Sequence, residues 1–185
     1  MTNLLDISKW PDRVETLVER IGSPLREGRV VLSCSSTQDM ASAMGSGSLV
    51  VASRQVSGRG QRGNSWEDTG SDGLAFSICL PRTDEPARSI DMAAAIVKGL
   101  EPLLPARLKV KHPNDVLLDG RKLAGVLIEQ SGDQAVIGIG INVRQRHWPD
   151  FLESQAISLL QAGIEIDRID VLECILPGVV KAWVD

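Results

Sequence analysis

The sequence predicts an α/β chain of the α+β type, with a mixed, mostly antiparallel central sheet flanked by helices. Three observations carry this expectation. Short runs rich in β-branched residues and leucine recur through the middle of the chain, several joined by tight turns such as Asp119-Gly120 and Ser131-Gly132-Asp133. Apolar residues repeat at helical spacing near the start, centre and end. A length of 185 residues fits one domain and buries about 70% of its unfolded surface.

In order along the chain, Pro11 sits at a helix-start position. Val14, Leu17, Val18 and Ile21 then form one apolar face that Gly22-Ser23-Pro24 ends. Arg29 to Ser33 reads as a strand, and Cys34 to Asp39 as the turn after it. Ser36 or Thr37 either caps a helix running to about Met44 or points a hydroxyl into a ligand site, and the two are compatible. Leu49 to Arg54 and Gly73 to Leu80 are the next strands. Pro86 opens a long helix whose stripe is Ile90, Ala93, Ala94, Val97, Leu100 and Leu104. Arg107 to Lys111 is a strand stopped by Pro113, and Val116 to Leu118 and Arg121 to Gln130 form a hairpin. Ala135 to Val143 returns as a strand. Asp167 is a helix cap, Ile169, Leu172, Leu176, Val179 and Trp183 line one face of a last helix, and Pro177-Gly178 should kink or split it.

Function concentrates in the connection between the second and third strands. Five of the 17 glycines fall between Gly58 and Gly73, with Arg59 and Arg62 among the first three. Glycines let backbone N–H groups approach a ligand, and guanidinium forks suit carboxylate or phosphate. A flexible linker is the competing reading of such composition. Trp66 argues against it, because an indole covers an apolar ligand surface and excludes water. A loop that orders on its ligand is the expectation.

Lys111 ends a strand before Pro113-Asn114-Asp115, so its ammonium either projects from the sheet edge into a site or is simply solvated; Asp115 could orient it or a metal-bound water. Gly138 and Gly140, two apart, leave bare positions on one sheet face, where either a packed helix or a ligand must lie close; Asn142 shares that face.

The net charge of -4 and a pI near 5.3 disfavour nucleic acid as the main partner. Only about 28 residues precede the first strand, too few for an added DNA-binding domain. Cys34, Cys79 and Cys174 are odd in number and widely spaced, which reads as reduced cytoplasmic thiols. No apolar run is long enough to span a membrane.

Four stretches, Gly58-Arg59-Gly60-Gln61-Arg62-Gly63-Asn64-Ser65-Trp66, Lys111-His112-Pro113-Asn114-Asp115, Lys122-Leu123-Ala124-Gly125-Val126-Leu127-Ile128-Glu129 and Gly138-Ile139-Gly140-Ile141-Asn142-Val143, occur in one order over residues 30–145. Together they resemble the motif set of biotin–protein ligases. The resemblance implies the biotin–lipoate ligase fold, similar to class II aminoacyl-tRNA synthetases, in one catalytic domain over residues 1–185, with no N-terminal DNA-binding domain expected; the small C-terminal β-barrel that the family often adds has no counterpart in the sequence, so either the enzyme lacks it or the sequence is cut. It implies ATP-dependent activation of biotin to biotinyl-5′-AMP and transfer to a lysine of a biotin carboxyl-carrier domain, by a monomer or homodimer. Lipoate or octanoate ligation, and biotin sensing without turnover, are the alternatives.

By resemblance, Ser36, Thr37, Gln38, Gln55, Gly58, Arg59, Trp66, Lys111, Gly125, Gly138 and Gly140 would bind biotin. Arg59, Gln61, Arg62, Trp66, Asn114, Lys122 and Asn142 would meet the nucleotide. Lys111, Arg59 and Arg62 would face the reacting carboxylate and α-phosphate. Magnesium would ride on the ATP phosphates (Mg2+), with no protein ligand assigned. Gln61 stands where many members carry arginine, which implies a weaker hold on an acyl phosphate. His112 stands where tryptophan is usual.

Overall fold

The computed structural model describes residues 7–63, 65–66, 71–85 and 88–185, with the backbone alone at residue 62. The helix start assigned to Pro86, the Arg62 side chain, Asn64 and residues 67–70 of the glycine-rich loop lie outside the described residues.

The described helices are α1 (Trp10–Ile21), α2 (Thr37–Met44), α3 (Arg88–Leu100) and α4 (Arg168–Val184). The strands are β1 (Glu27–Val31), β2 (Ser48–Ala52), β3 (Gly58–Arg59), β4 (Ser65–Trp66), β5 (Gly73–Pro81), β6 (Leu108–Lys111), β7 (Asp115–Leu118), β8 (Arg121–Ser131) and β9 (Gln134–Asn142). Seven strands form one sheet in the order β1-β2-β5-β9-β8-β7-β6. Only β1 and β2 run parallel; the other neighbours are antiparallel, with tight turns joining β6 to β7, β7 to β8 and β8 to β9. β3 and β4 make a separate two-stranded ladder inside the glycine-rich loop, where a loop that orders on its ligand was expected.

Alternation sorts the strand residues onto two unlike faces. On one, Leu49, Val51, Leu74, Phe76, Ile78, Leu80, Ile137, Ile139 and Ile141 join the main core with α1, α3 and α4. On the other, Ala41 of α2 packs on Val50, Cys79 and Val136. That second face carries Ala75, Ser77, Gly138, Gly140 and Gly125, residues too small to hold an apolar layer of their own.

Three expectations need correction. α3 stops at Leu100, and within it Ala95 rather than Ala94 is buried, because the helix rests on both the sheet and α4 and so presents a wider face than one stripe. α4 runs unbroken through Pro177. A proline inside a helix costs ~3 kcal/mol, which is offset by the burial of Ile169, Leu172, Ile175, Leu176, Val179 and Trp183 around it. Asp167 occupies the cap position of α4 but its side chain makes no cap hydrogen bond. Ser36 does cap α2, accepting a hydrogen bond from the Gln38 N–H.

Helices α3 and α4 approach closely at Gly99, where an added Cβ would lie 2.8 Å from the Cys174 carbonyl oxygen and 3.0 Å from the Ile175 Cα. Those are backbone atoms, so the clash needs a helix shift. At Gly178 the nearest such atom is 3.8 Å away, ordinary contact. Gly99→Ala is therefore expected to destabilise by about 1–3 kcal/mol, while Gly178→Ala gains up to ~1 kcal/mol of helix propensity. Urea midpoints of the two variants check this; a stabilised Gly99→Ala would contradict the packing described.

Candidate active site

A single row of paired residues crosses the sheet beneath the glycine-rich loop: Ala52, Ala75, Gly140, Gly125, Asp115 and Lys111. Four of the six have a side chain no larger than methyl, so the sheet offers a bare strip ending in a carboxylate and an ammonium. Trp66, carried by β4, lies on this strip. A Cβ at Gly140 would come within 2.4 Å of the indole Cε2, and one at Gly125 within 3.2 Å of Cζ3. Gly138, one pleat along β9, is covered instead by Gln38 of α2, whose Oε1 would be 2.7 Å from an added Cβ. The two glycines thus serve different coverings, a helix side chain at one and the loop's indole at the other.

β3 makes the indole's position possible. Gly58 pairs with Trp66, and a Cβ there would meet the Gln55 Nε2 at 2.6 Å and the Trp66 carbonyl at 2.8 Å. Only glycine lets this ladder lie so close to Gln55. Gln55 in turn accepts hydrogen bonds from the Thr37 N–H at 2.8 Å and the Thr37 hydroxyl at 3.1 Å. The Thr37 and Ser77 hydroxyls are 2.8 Å apart. All three side chains are buried, a polar knot at the inner end of a cavity of about 280 Å³. Ser36, Gln38, Arg59, Gln61, Lys111, His112 and Asn114 also line that cavity.

Gln38 donates through Nε2 to Glu129 at 2.9 Å, with the Val136 carbonyl at 3.5 Å. Its Oε1 is buried with no hydrogen-bond partner among the described residues. Leaving such an acceptor unpaired costs about 1–3 kcal/mol, and the cavity is where a donor would come from. Arg59 donates to Asp39 at 2.8 Å and Glu129 at 2.9 Å, and both carboxylates raise its pKa, Glu129 foremost. The guanidinium therefore fastens the first arm of the loop to α2 and β8.

Lys122 reaches the strip through a β-bulge. Asp115 pairs with Gly125 and Val116 with Ala124, but the register then shifts so that Leu117 faces Lys122. In an unbroken ladder Leu117 would face Leu123; the extra residue turns Leu123 into the core and Lys122 onto the cavity side. Its ammonium lies 2.8 Å from Asp115, 5.7 Å from the Trp66 ring centroid and 3.3 Å from where a Gly125 Cβ would sit. The partner of Asp115 is thus Lys122, on the diagonal, although Lys111 is its register neighbour. Lys111 is exposed at the end of β6 and makes no ion pair among the described residues.

The two asparagines are engaged with backbone. Asn114 donates to the Val126 carbonyl at 2.8 Å, and Asn142 to the Lys122 carbonyl at 3.1 Å. A second cavity of about 580 Å³ adjoins the first across Ser65, Trp66, Lys111, Asp115 and Lys122 and continues past Asn142 to Trp148, Phe151 and Gln155. The sequence reading missed Ser77, Asp39 and Glu129. Ser77 had a legible signal, a hydroxyl at the cavity-facing phase of an otherwise apolar strand. The ion pairs of Asp39 and Glu129 had none, since they depend on where β3 lands.

Of the four tryptophans, Trp10, Trp148 and Trp183 are buried and Trp66 is half-buried. Gly140→Ala must lift the indole from its seat. Quenching of tryptophan emission by acrylamide is expected to rise at least twofold, with the melting temperature little altered; unaltered quenching would contradict the seat.

The sequence profile of the biotin/lipoate A/B protein ligase family matches residues 28–143. The bifunctional ligase/repressor BirA of Bacillus spizizenii is 37% identical over 142 residues, covering 70% of this chain and 44% of that protein. The biotin–[acetyl-CoA-carboxylase] ligase of Mycobacterium tuberculosis is 35% identical over 126 residues, 64% of this chain and 47% of its own length. The chain thus spans about half the length of these curated relatives. The biotin protein ligase of Aquifex aeolicus, solved with biotin and ATP, superposes with a TM-score of 0.78 at 30% identity, covering 85% of this chain and 70% of that one. Profile, identity and shared architecture agree: the chain belongs to the biotin/lipoate A/B protein ligase family, as a member of its biotin protein ligases.

Proposed function

We propose that this chain activates biotin with ATP and passes the biotinyl group to a lysine of a biotin carboxyl-carrier domain. One observation carries the reading: the cavity is polar at both ends and bare between them. Its inner end holds the unpartnered Gln38 Oε1 beside the Thr37 and Ser77 hydroxyls. Its outer end holds the Lys122 and Lys111 ammoniums. A ligand with N–H donors at one end and a carboxylate at the other matches this polarity. Biotin has both, through its ureido ring and valerate tail. Lipoate and octanoate end in groups with no N–H donor and would leave the Gln38 oxygen unpaired.

A carboxylate is a poor acyl donor because oxide would have to leave. In the first step a carboxylate oxygen attacks the α-phosphorus of ATP, forming a C–O–P anhydride while the bond to pyrophosphate breaks. In the second, a neutral lysine amine of the acceptor attacks the carbonyl carbon, AMP leaves with the C–O bond electrons, and the amine loses a proton. Both steps gather negative charge where fixed cations are most effective. Lys122 is placed for this, since Asp115 and the Trp66 face restrain its ammonium over the bare strip. Lys111 approaches from the strand end, and by the family resemblance Arg62 would join them. Arg59 contributes by anchoring the loop arm through Asp39 and Glu129, with Gly58 and Gln55 shaping the wall on biotin.

Trp66 covers the mixed anhydride and keeps water from it. The larger adjoining cavity takes the nucleotide, with Asn142 on its lining, Gln61 on the lining of the smaller cavity beside it, and Asn114 stiffening the neighbouring turn. Among the described residues no three His, Cys, Asp or Glu side chains cluster as a metal cage. Mg2+ would ride on the ATP phosphates and neutralise their charge, with Asp115 the carboxylate that lines both cavities among the described residues.

Mass spectrometry of a carrier domain incubated with this chain, ATP and one acid at a time tests the proposal. A gain of one biotinyl group with biotin, and none with lipoate or octanoate, is expected. A gain with lipoate, or none with biotin, would overturn it. In a pyrophosphate-release assay with biotin and ATP, Lys122→Ala is expected to lower the rate by roughly 10²-fold or more, and Lys111→Ala by less; an unchanged rate for Lys122→Ala contradicts its role.

A further inference from the structure

Arg168, the first residue of α4, is fully buried, and neither cavity includes it. Its guanidinium donates through Nη1 to the carbonyls of Ser53 at 2.8 Å and Gly73 at 3.2 Å, and through Nη2 towards the Ser53 hydroxyl at 3.4 Å. The Trp10 ring of α1 lies beneath it, 4.6 Å from Cζ to the ring centroid. Ser53 and Gly73 are the two feet of the glycine-rich loop. The β2–β5 ladder ends at the pair Ala52 and Ala75, and beyond it the strands part to form the loop. At the mouth of that opening the sheet supplies no further cross-strand bond between the feet. The planar fork of one arginine spans the gap and bonds both sides.

A buried charge is costly unless it is hydrogen-bonded, and what holds this one includes the bonds to the two feet of the loop and the contact with Trp10. Its position is also specific. From Ser53 the chain runs to Gln55 and Gly58, and from Gly73 it runs into the strand that carries Ala75 and Ser77. The hydrogen bonds of Val56 N–H to the Cys34 carbonyl and of Ser57 N–H to the Ser35 carbonyl continue from the first foot toward the α2 cap. Holding the feet at one separation therefore sets where Gln55 and the β3–β4 ladder meet the cavity, and through that ladder the seat of Trp66.

We propose that Arg168 is a positioning residue of the active site: it joins the two feet of the loop and so sets the placement of Gln55, Gly58 and Trp66 for ligand binding, without touching ligand itself. The link to biotin rests on the function proposed above; the link to loop placement does not. Lysine can reach only one carbonyl at a time, and methionine neither, so Arg168→Lys keeps the charge but loses the bridge.

Hydrogen exchange of the full chain, read by mass spectrometry, separates placement from bulk stability. In Arg168→Lys, amides of residues 54–66 are expected to exchange at least fivefold faster, with those of residues 134–142 in β9 within twofold of the parent. Unchanged exchange at 54–66, or equal acceleration in β9, would overturn the proposal, the latter by reducing Arg168 to a general core residue. Arg168→Met should match or exceed the lysine variant, and if it does not fold the lysine variant decides alone. In biotin-dependent pyrophosphate release, the KM for biotin should rise at least tenfold with kcat within threefold; a kcat loss at unchanged KM contradicts positioning. If the parent chain turns over no biotin, the functional reading fails while the exchange measurement still decides the role of Arg168.

Discussion

The cross-strand pairing of Gly125 with Gly140 is the constraint on which the rest of this molecule turns. Two hydrogens side by side in the middle of a sheet cannot bury an apolar layer, so this patch cannot be ordinary core. It must be covered by something flat, and the indole of Trp66 is what the chain provides. The opposite face of the same strands is filled by isoleucines, leucines and a phenylalanine under three helices. One face secures the fold, which frees the other to leave space.

Charge then gives the space a direction. Hydroxyl and amide groups crowd the inner end, and ammonium groups reach the outer end from β6 and, by way of a bulge, from β8. The bulge decides which way Lys122 points, and an unbroken ladder would have sent it into the core. Two arginines brace the loop around the cavity. Arg59 is engaged by Asp39 and Glu129, and Arg168 holds the loop's feet from beneath. The Lys122 and Lys111 ammoniums line the cavity, whereas the Arg59 and Arg168 guanidiniums are engaged with the scaffold around it.

Much of this was legible in the residues. Period-two glycines, the Asp119-Gly120 turn, the capping serine and the tryptophan within a glycine run each act through local geometry that sequence spacing reports directly. What sequence could not report depended on tertiary placement. Pro177 stays within a helix because packing on both sides outweighs its local cost. Ala95 rather than Ala94 is buried because α3 touches two layers. Lys122 faces the cavity because of one extra residue in a ladder, and Arg59 is engaged because β3 lands near two carboxylates. Arg168 looked like an ordinary first-turn residue of a helix, with no local mark of the two carbonyls it would reach.

The most direct test of the account is an electron-density map of the chain crystallised with biotin. It predicts the ureido ring against Gln38 and Thr37, the tail running alongside the Trp66 ring, and the carboxylate within hydrogen-bonding distance of the Lys122 ammonium. Biotin bound elsewhere, or reversed with its carboxylate at Gln38, would contradict it.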